Sequence, residues 1–524
     1  MSPFDVASGD VRLPIQRHWA CIVAGLLPLV IRILLLPYFP VPQPIVHDEF
    51  SYLLGADTFA AGRLVNPPHP FWRHFESYHV LQQPVYVSKY PPMQALALAV
   101  GQKLGHPWIG VWISVGAMCA AVCWAMQGWL SPAFAFVGAL LFGLRFGVLS
   151  DWINSYWGGA VAALGGALVI GSLPRLLRQP RKQEAFTFCI GLVILANSRP
   201  FEGLLLAAPV VSALLFMHAR SGRIGALWKS ATVPLTAIIL PTALAMGYYN
   251  FRVMGHPLLL PYQLHEQQYA VTPAFLWMEP RQPPVYRHAI MKEFWTEWDM
   301  AVFREARKNL ADHFLDNIRT VSLFLLGSLP LLIGCLAWPQ PRNSLDRVSG
   351  LILVVSLLGL GLEKAILGHY LAPIAALVFV QFMNAISRLW SWLPAGRRLG
   401  SALATVVLGF VLLQTLDFVP PLSAETHKPI GRQRRMGRNA FAEERERVEN
   451  YLRAIPRQHL VFVRYGSEHS FHEEWVYNPA EIDSSRIVWA RSMGPQEDRA
   501  LAHYFSQRGV WLLEPDKSPV MPVS

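Results

Sequence analysis

Three carboxylates stand just beyond long apolar segments of this chain. Asp48 and Glu49 follow the first such segment by a few residues, and Asp151 directly follows a later one. A carboxylate within hydrogen-bond reach of a weak nucleophile such as a hydroxyl can act as its general base, a role that contributes about 10²- to 10⁴-fold in rate. If both segments cross a membrane and end at one face, the spacing predicts a reaction centre at that face.

Each of these acids also has a purely structural interpretation. Asp48 and Glu49 precede a helix-like stretch, where acids commonly cap a first turn and interact favourably with the helix dipole. Glu49 could instead orient the base, or bind a divalent cation together with Asp48, although no separate ligand set in the sequence demands a metal. Asp151 could assist the reaction by orienting the acceptor, or could simply separate two helices.

A cation suited to a phosphate group precedes a rigid segment of the chain. Lys89 is followed by Tyr90 and two prolines, which hold the backbone extended before the next apolar segment. A leaving phosphate needs a cationic donor where its charge develops, so we expect Lys89 and Tyr90 to bind it. The alternative is a lysine that only snorkels beside a helix start.

Further polar residues stand where later apolar segments begin. Arg199 precedes Pro200 between two such segments, and His369 and Tyr370 enter a late one. We expect these three to contact substrate, although a lone histidine at such a position is more often an interfacial residue. Arg32 and Arg145 lie inside apolar segments, where they could face a lipid-phosphate cavity or pair with the backbone.

The composition requires that membrane helices position these residues. Of 524 residues 53% are hydrophobic and only 15% are charged, and the mean hydropathy is +0.31. A hydrocarbon core of about 30 Å needs roughly 20 mostly apolar residues per helix, which predicts an all-α polytopic membrane protein with about 11 transmembrane helices. The predicted helices are 19–39, 107–129, 132–150, 158–178, 184–198, 200–217, 231–250, 318–338, 348–363, 369–390 and 399–419.

Basic residues in alternate short loops predict the orientation of these helices. Because such residues are retained in the cytoplasm, the pattern places residues 1–18 inside and the outer loops 40–106 and 251–317 outside, with residues 420–524 also outside. The loops in question contain Arg175, Arg178, Arg181 and Lys182; Arg220, Arg223 and Lys229; Arg342 and Arg347; and Arg388, Arg397 and Arg398. Four arginines of the tail would instead favour a cytoplasmic tail, because they lie close to the last predicted helix. They are Arg432, Arg434, Arg435 and Arg438.

The tail, residues 420–524, reads as a small soluble α/β domain. Short β-rich runs at 459–463, 487–490 and 510–513 alternate with a helix-like stretch at 495–506. It contains no glycine-rich phosphate loop, so soluble nucleotide-sugar chemistry is not supported.

The net charge of +11 does not favour nucleic-acid binding, because many basic residues belong to the loops that set the orientation. All five cysteines lie in apolar segments, which disfavours disulfides.

In their order along the chain these segments resemble the GT-C superfamily, which includes protein O-mannosyltransferases and lipid A aminoarabinose transferases. The resemblance rests on His47-Asp48-Glu49-Phe50-Ser51-Tyr52, Lys89-Tyr90-Pro91-Pro92, Asp151, Arg199-Pro200 and His369-Tyr370-Leu371-Ala372-Pro373, and it covers about residues 15–420. It implies a GT-C-like transmembrane catalytic module over 19–419.

The activity that this resemblance implies is an inverting sugar transfer from a polyprenyl-phosphate donor to a lipid, glycan or protein acceptor, with Asp48 as the base. The enzyme would lie in the bacterial inner membrane with its active site facing the periplasm. A divalent cation remains possible, because members of the superfamily differ in metal dependence. The alternatives are a lipid-linked sugar transporter or flippase, which would form no glycosidic bond, and an O-antigen-ligase-like enzyme, which would need a pyrophosphate-linked donor.

Overall fold

Helices dominate the chain as far as residue 415. A computed structural model describes residues 17–327, 344–393, 398–415, 439–518 and 520–523. The helices at the predicted membrane positions are α1 (Arg17–Leu34), α4 (Pro107–Met126), α5 (Pro132–Gly147), α6 (Ala160–Arg178), α7 (Lys182–Ala196), α8 (Pro200–Arg220), α9 and α10 (Ile224–Pro234 and Leu240–Met254, joined through a π-helical turn at Leu235–Ile239), α14 (Leu310–Leu326), α15 (Ser344–Leu360), α16 (Ala372–Trp390) and α17 (Leu399–Thr415).

Six helical stretches in the described part of the chain are long and apolar enough to cross a membrane, judged by length and composition. They are Arg17–Leu34, Pro107–Met126, Ala160–Arg178, Pro200–Arg220, Ile224–Met254 and Gly368–Trp390. Two further apolar helices, α5 and α17, are shorter. The later half of the helix predicted at 318–338 lies outside the described residues, as do Cys335, Arg342, Arg397 and the four arginines at 432–438. The count of eleven crossings stays a prediction.

Prolines fix where several of these helices begin. Pro107, Pro132 and Pro200 each occupy the first turn of a helix, where the missing N–H costs nothing and the fixed φ favours helical geometry. Pro200 follows directly on Arg199, so the turn at 197–199 divides α7 from α8 where the sequence predicts two helices.

Both arginines inside apolar segments bind backbone carbonyls. Arg32 is fully buried and donates to the carbonyls of Phe39 and Pro40 and to Asn154 Oδ1. Arg145 donates to the carbonyls of Leu323 and Phe324 at the end of α14. From the sequence, these two arginines could face a lipid-phosphate cavity or pair with the backbone. The structure shows both of them paired with backbone carbonyls.

Glycine allows one close helix contact near the expected site. A Cβ atom on Gly166 of α6 would lie 2.0 Å from the carbonyl oxygen of Pro373 in α16. Only glycine permits this approach, which fixes the start of α16 against α6. His369 and Tyr370 lie in the short 3₁₀ turn (Gly368–Leu371) that leads into α16.

The two outer loops contain ordered structure of their own. Residues 40–106 form α2 (His47–Ala60), a 3₁₀ turn (Trp72–Phe75), a two-stranded antiparallel sheet of β1 (Val80–Leu81) and β2 (Val87–Ser88), and α3 (Pro92–Lys103). Residues 251–317 contain α11 (Pro261–Tyr269), α12 (Ala289–Glu293), a π-helical turn (Phe294–Trp298) and α13 (Asp299–Lys308), and they lead into α14.

The described part of the tail contains three parallel strands and two helices. These are α18 (Ala440–Ala454), β3 (His459–Val463), β4 (Ile487–Arg491), α19 (Pro495–Tyr504) and β5 (Gly509–Leu513), with the strand order β4-β3-β5. The register places Leu460 beside Val488 on one side and beside Val510 on the other.

The tail shares a hydrophobic core with the first outer loop. Phe50 stacks face to face on Tyr477 with ring centroids 4.2 Å apart. Polar contacts add to this core: Tyr86 Oη donates to the Asn478 carbonyl at 2.7 Å, and Arg491 Nε donates to the Glu76 carbonyl at 2.7 Å. The tail is therefore packed against the loop that carries Asp48.

Candidate active site

Asp48 lies in the first turn of α2 and keeps an accessible carboxylate. Its side chain is 24% exposed, and its Oδ1 accepts a short hydrogen bond from Tyr90 Oη. Tyr90 is held in place by Tyr52, whose ring stacks on it at 4.5 Å between centroids. The sequence places Asp48 and Tyr90 42 residues apart, and the fold joins them.

The charge of Asp48 is set by opposing influences. Burial alone would raise the pKa of its carboxyl, but the Tyr90 hydrogen bond and the positive potentials of His47 and Lys89 outweigh burial. The pKa of Asp48 therefore lies below its ordinary value. At neutral pH the carboxylate is ionised and able to accept a proton.

Lys89 lies beside Asp48 with its ammonium group between two aromatic rings. Lys89 Nζ is 5.1 Å from the ring centroid of Tyr90 and 4.9 Å from that of Tyr262. Burial lowers the pKa of Lys89 to about 8, although the nearby charge of Asp48 acts against this shift. Among the described residues no hydrogen-bond acceptor reaches Nζ, so the ammonium donors are available to a ligand.

His79 approaches Asp48 from a strained backbone position. Its Nε2 is 3.9 Å from Asp48 Oδ2, and its φ of 62° lies in the left-handed region that residues other than glycine rarely adopt. The Ser51 hydroxyl donates to the His79 carbonyl at 2.6 Å, and the Lys89 amide donates to the same oxygen at 3.2 Å. Strain held by such bonds is characteristic of functional sites.

His47 completes a set of three potential metal ligands. One ligand atom from each of His47, Asp48 and His79 lies within 4.8 Å of the others. His47 Nε2 is 2.9 Å from the Phe471 carbonyl of the tail, which leaves Nδ1 as the ring's lone-pair nitrogen when Nε2 carries the proton. Two imidazoles and a carboxylate form a donor set that suits zinc.

Glu49 does not belong to that ligand set, because backbone amides occupy both of its oxygens. Oε2 accepts from the amides of Ile45 and Val46 at 2.8 and 3.1 Å, and Oε1 accepts from the Tyr156 amide at 3.0 Å. Its side chain is almost completely buried. The geometry is that of a residue that fixes the start of α2, and the catalytic role of Glu49 stays a prediction.

Asp151 lies in the turn after α5, and that turn is joined to the Asp48 segment. The Asp151 carbonyl accepts from the Ser155 hydroxyl at 2.5 Å. Tyr156, one residue further, donates its amide to Glu49 and its hydroxyl to the Pro42 carbonyl. These are backbone and neighbour contacts, so the catalytic role of the Asp151 carboxylate stays a prediction.

The remaining expected site residues form an aromatic and cationic wall. Arg199 lies 4.6 Å over the ring of Tyr370 and 3.5 Å from Glu202. His369 packs on Trp157 and Tyr370, at 4.5 and 4.8 Å between centroids. His369 also contributes to the positive potential that lowers the pKa of Asp48, so this wall lies within electrostatic reach of Asp48.

Two further histidines, one from each of the loops 40–106 and 251–317, lie near this site. His79 and His265 have ring centroids 5.9 Å apart, and His265 is 1% exposed with neither ring nitrogen bonded to any described residue. Burial holds the pKa of both imidazoles well below the ordinary value, so both are neutral at pH 7. Only the fold of both outer loops brings these two residues to Asp48.

Comparisons with known proteins show similarity in structure only. No protein-family model and no curated protein sequence matches the chain. Among solved structures, ArnT from Cupriavidus metallidurans bound to undecaprenyl phosphate is similar over 95% of this chain and 90% of its own, with 13% identity and a TM-score of 0.51. The apo form of the same enzyme is similar over 94% of this chain and 93% of its own, with 12% identity and a TM-score of 0.49.

A second similar structure is an Archaeoglobus fulgidus oligosaccharyltransferase tethered with an acceptor peptide. It matches 86% of this chain at 12% identity and a TM-score of 0.46, and the chain spans 62% of that enzyme's length. ArnT, an aminoarabinose transferase, and the oligosaccharyltransferase are both GT-C glycosyltransferases. The likeness to ArnT shows that this chain has the GT-C fold, as its motifs indicate.

Proposed function

We propose that this protein transfers a sugar from a polyprenyl-phosphate donor to a lipid, glycan or protein acceptor at the extracytoplasmic face of the membrane. The observation that carries this proposal is that an ionised, partly exposed Asp48 and a Lys89 ammonium with no acceptor among the described residues both contact Tyr90. General-base and phosphate-binding groups thus lie together. The GT-C fold supports the donor class, because ArnT, which shares that fold, is known with undecaprenyl phosphate bound.

In the proposed reaction the acceptor hydroxyl attacks the anomeric carbon of the sugar from the side opposite the phosphate. Asp48 takes the hydroxyl proton as the new glycosidic bond forms. The bond between the anomeric carbon and the phosphate oxygen breaks, and the polyprenyl phosphate leaves with the electron pair. Backside attack inverts the configuration at the anomeric carbon.

Lys89 neutralises the charge that develops on the leaving phosphate. The ammonium is protonated below pH about 8, and its placement between two rings keeps it partly desolvated. Preorganised charge in such an environment stabilises a transition state more than the same charge in water does. Tyr90 holds Asp48 by its hydrogen bond, and Glu49 holds the start of α2, so both are positioning residues in this scheme.

Arg199, His369 and Tyr370 form the wall on which we place the remaining substrate contacts. Arg199 carries a delocalised charge on the Tyr370 ring, an arrangement that suits a second contact with phosphate or a sugar hydroxyl. Asp151 is proposed to orient the acceptor. A divalent cation held by His47, Asp48 and His79 would polarise the acceptor oxygen at the same place.

The test is a transfer assay on the full-length protein reconstituted in proteoliposomes. The vesicles contain a polyprenyl-phosphate sugar labelled in the sugar, and membrane extracts provide the acceptors. We expect a labelled glycosidic product together with one free polyprenyl phosphate per sugar transferred. Movement of the labelled carrier across the bilayer without bond formation would contradict the proposal and identify a transporter. Dependence on a pyrophosphate-linked donor would contradict the donor class.

A further inference from the structure

The outer loop 251–317 contains an open cavity beside α13, built from residues that the proposed reaction does not use. Its volume is about 420 Å³. Apolar side chains line one part of it and exposed charged side chains line the rest. They are Pro280, Met300 and Phe303, and Glu279, Arg304, Arg307 and Lys308.

The charges of this cavity leave two cations in excess. Arg307 is neutralised by Glu279, to which it donates two hydrogen bonds of 2.6 and 3.1 Å. Arg304 and Lys308 have no hydrogen-bond acceptor or ion-pair partner among the described residues. They are four positions apart on α13, so they lie on the same helix face, where like charges repel each other. An anion bound between them would remove that repulsion.

The segment just before Glu279 packs on the ends of helices at predicted membrane positions. Phe275 contacts Phe201 in the first turn of α8, with ring centroids 4.6 Å apart. The Leu276 amide donates to the Leu362 carbonyl at 3.2 Å, in the turn after α15. Because α8 is long and apolar enough to cross a membrane, its first turn lies near the membrane surface. The cavity therefore opens close to that surface.

Apolar side chains beside the cavity are left exposed at the same level. Trp277 is 57% exposed, Met278 41% and Leu362 46%. Trp277 stacks on Phe275 at 4.5 Å between centroids, which keeps its ring at the helix ends. Tryptophan is enriched where a protein meets the boundary between lipid and water. Exposed cations next to exposed apolar side chains are complementary to a molecule with an anionic headgroup and hydrocarbon chains.

We propose that this cavity binds an anionic phospholipid of the surrounding membrane. Arg304 and Lys308 hold the phosphate, and Trp277 and Met278 contact the first part of the acyl chains. The commitment to a lipid rests on the position of the cavity at the helix ends, which a free phosphate would not require. The site goes beyond the proposed transfer reaction and does not depend on it.

A lipid bound here would attach the outer loop to the membrane next to the active site. Asp299, the first residue of α13, forms an ion pair of 2.6 Å with Lys364, in the turn that leads to His369. The same loop places the Tyr262 ring 4.9 Å from Lys89 Nζ. The lipid would therefore hold in place the loop that covers the proposed phosphate-binding lysine.

The test is a titration of the full-length protein in a neutral detergent, in a Lys89→Gln background that removes the other proposed phosphate site. Phosphatidylglycerol, phosphatidylcholine and glycerol 3-phosphate are added separately, and native mass spectrometry counts the bound molecules. We expect phosphatidylglycerol to bind at least tenfold more tightly than zwitterionic phosphatidylcholine. Glycerol 3-phosphate, which lacks acyl chains, should also bind at least tenfold more weakly.

Variants locate the binding. The double variant Arg304→Gln and Lys308→Gln should weaken phosphatidylglycerol binding at least tenfold, and Trp277→Ala should weaken it severalfold. The control double variant Lys292→Gln and Arg499→Gln removes the same charge from exposed positions outside the cavity and should leave binding unchanged.

Three results would overturn the proposal. Equal affinity for the two lipids would show that the headgroup charge is not recognised. Equal affinity for glycerol 3-phosphate and phosphatidylglycerol would identify a site for free phosphate. Phosphatidylglycerol binding that is unchanged in the Arg304 and Lys308 double variant, or that falls equally in both double variants, would show that this cavity is not the binding site.

Discussion

Two acidic clusters of this molecule contain similar residue types but differ in how their hydrogen bonds are used. In the tail, Glu474 is 1% exposed and binds Arg491, the Tyr465 hydroxyl and the Val476 amide. Arg491 also donates to the Glu76 carbonyl. In the Asp48 cluster, by contrast, the carboxylate is partly exposed and Lys89 Nζ has no acceptor among the described residues.

The difference separates a cluster whose carboxylate is fully hydrogen-bonded from one that has donors and acceptors left for a ligand. In the Glu474 cluster both carboxylate oxygens accept hydrogen bonds from within the protein, so we expect the cluster to stabilise the tail. In the Asp48 cluster, donor and acceptor capacity is left over among the described residues. We therefore expect substitutions in the first cluster to change stability and substitutions in the second to change turnover.

The largest expected effect is on turnover in Asp48→Asn. Loss of the base should reduce kcat about 10²- to 10⁴-fold, because the acceptor hydroxyl then has no carboxylate to take its proton. Thermal stability should not fall, since an amide oxygen can still accept the Tyr90 hydrogen bond. The measurement is initial-rate transfer together with a melting curve.

Asp57→Asn is the matched control, because Asp57 lies on the same helix and both of its oxygens are bonded, to Gln102 and to the Ala480 amide. This variant should lose stability and keep its turnover per folded molecule. If Asp57→Asn lost turnover to the same degree as Asp48→Asn, the effect would belong to any acid of this helix and not to Asp48 as the base.

A smaller but clear effect is expected on stability in Arg491→Gln. This change leaves Glu474 buried without its cation, which typically costs about 3–5 kcal/mol. Hydrogen exchange of the β3 and β4 amides in the purified protein should accelerate accordingly. Arg464→Gln, in an exposed pair with Glu514 3.9 Å away, should change exchange little. Unchanged exchange in Arg491→Gln would show that the Glu474 cluster is not structural.

The pH dependence of kcat/KM should show the state of Lys89. Because the pKa of Lys89 is lowered to about 8, the ammonium is present below that pH and is lost as the pH rises through it. The rate should then fall about tenfold for each further pH unit. Lys89→Arg should remove this alkaline limb, since a guanidinium stays charged. The exposed control Lys292→Arg should keep it, and an identical limb in Lys89→Arg would assign it to another group.

Much of the fold and part of the site were predictable from the sequence, for physical reasons. Membrane helices are recognisable in a sequence by their length and apolar composition, and prolines such as Pro200 indicate where they begin. Asp48, Lys89 and Tyr90 were predictable because charged and rigid segments at the ends of apolar stretches are unusual. The tail strands at 459–463 and 487–490 were predictable because their local composition is rich in residues that favour β-strands.

Other features depend on contacts that local sequence does not encode. His79 reaches Asp48 only because its backbone adopts a positive φ between two hydrogen bonds from Ser51 and Lys89. The contact of His47 with the Phe471 carbonyl joins residues 424 positions apart. Glu49 has the residue type of a catalytic acid, and only the fold shows that its oxygens accept from the amides of Ile45, Val46 and Tyr156.

The most direct test of the central claim is the affinity of the purified protein for polyprenyl phosphate, measured for the parent, Lys89→Gln and Asp48→Asn proteins. If Lys89 binds the phosphate and Asp48 acts only in proton transfer, Lys89→Gln should weaken binding at least tenfold, and Asp48→Asn should bind at least as tightly as the parent. Binding that is unchanged in Lys89→Gln, or lost in Asp48→Asn, would contradict this division of roles.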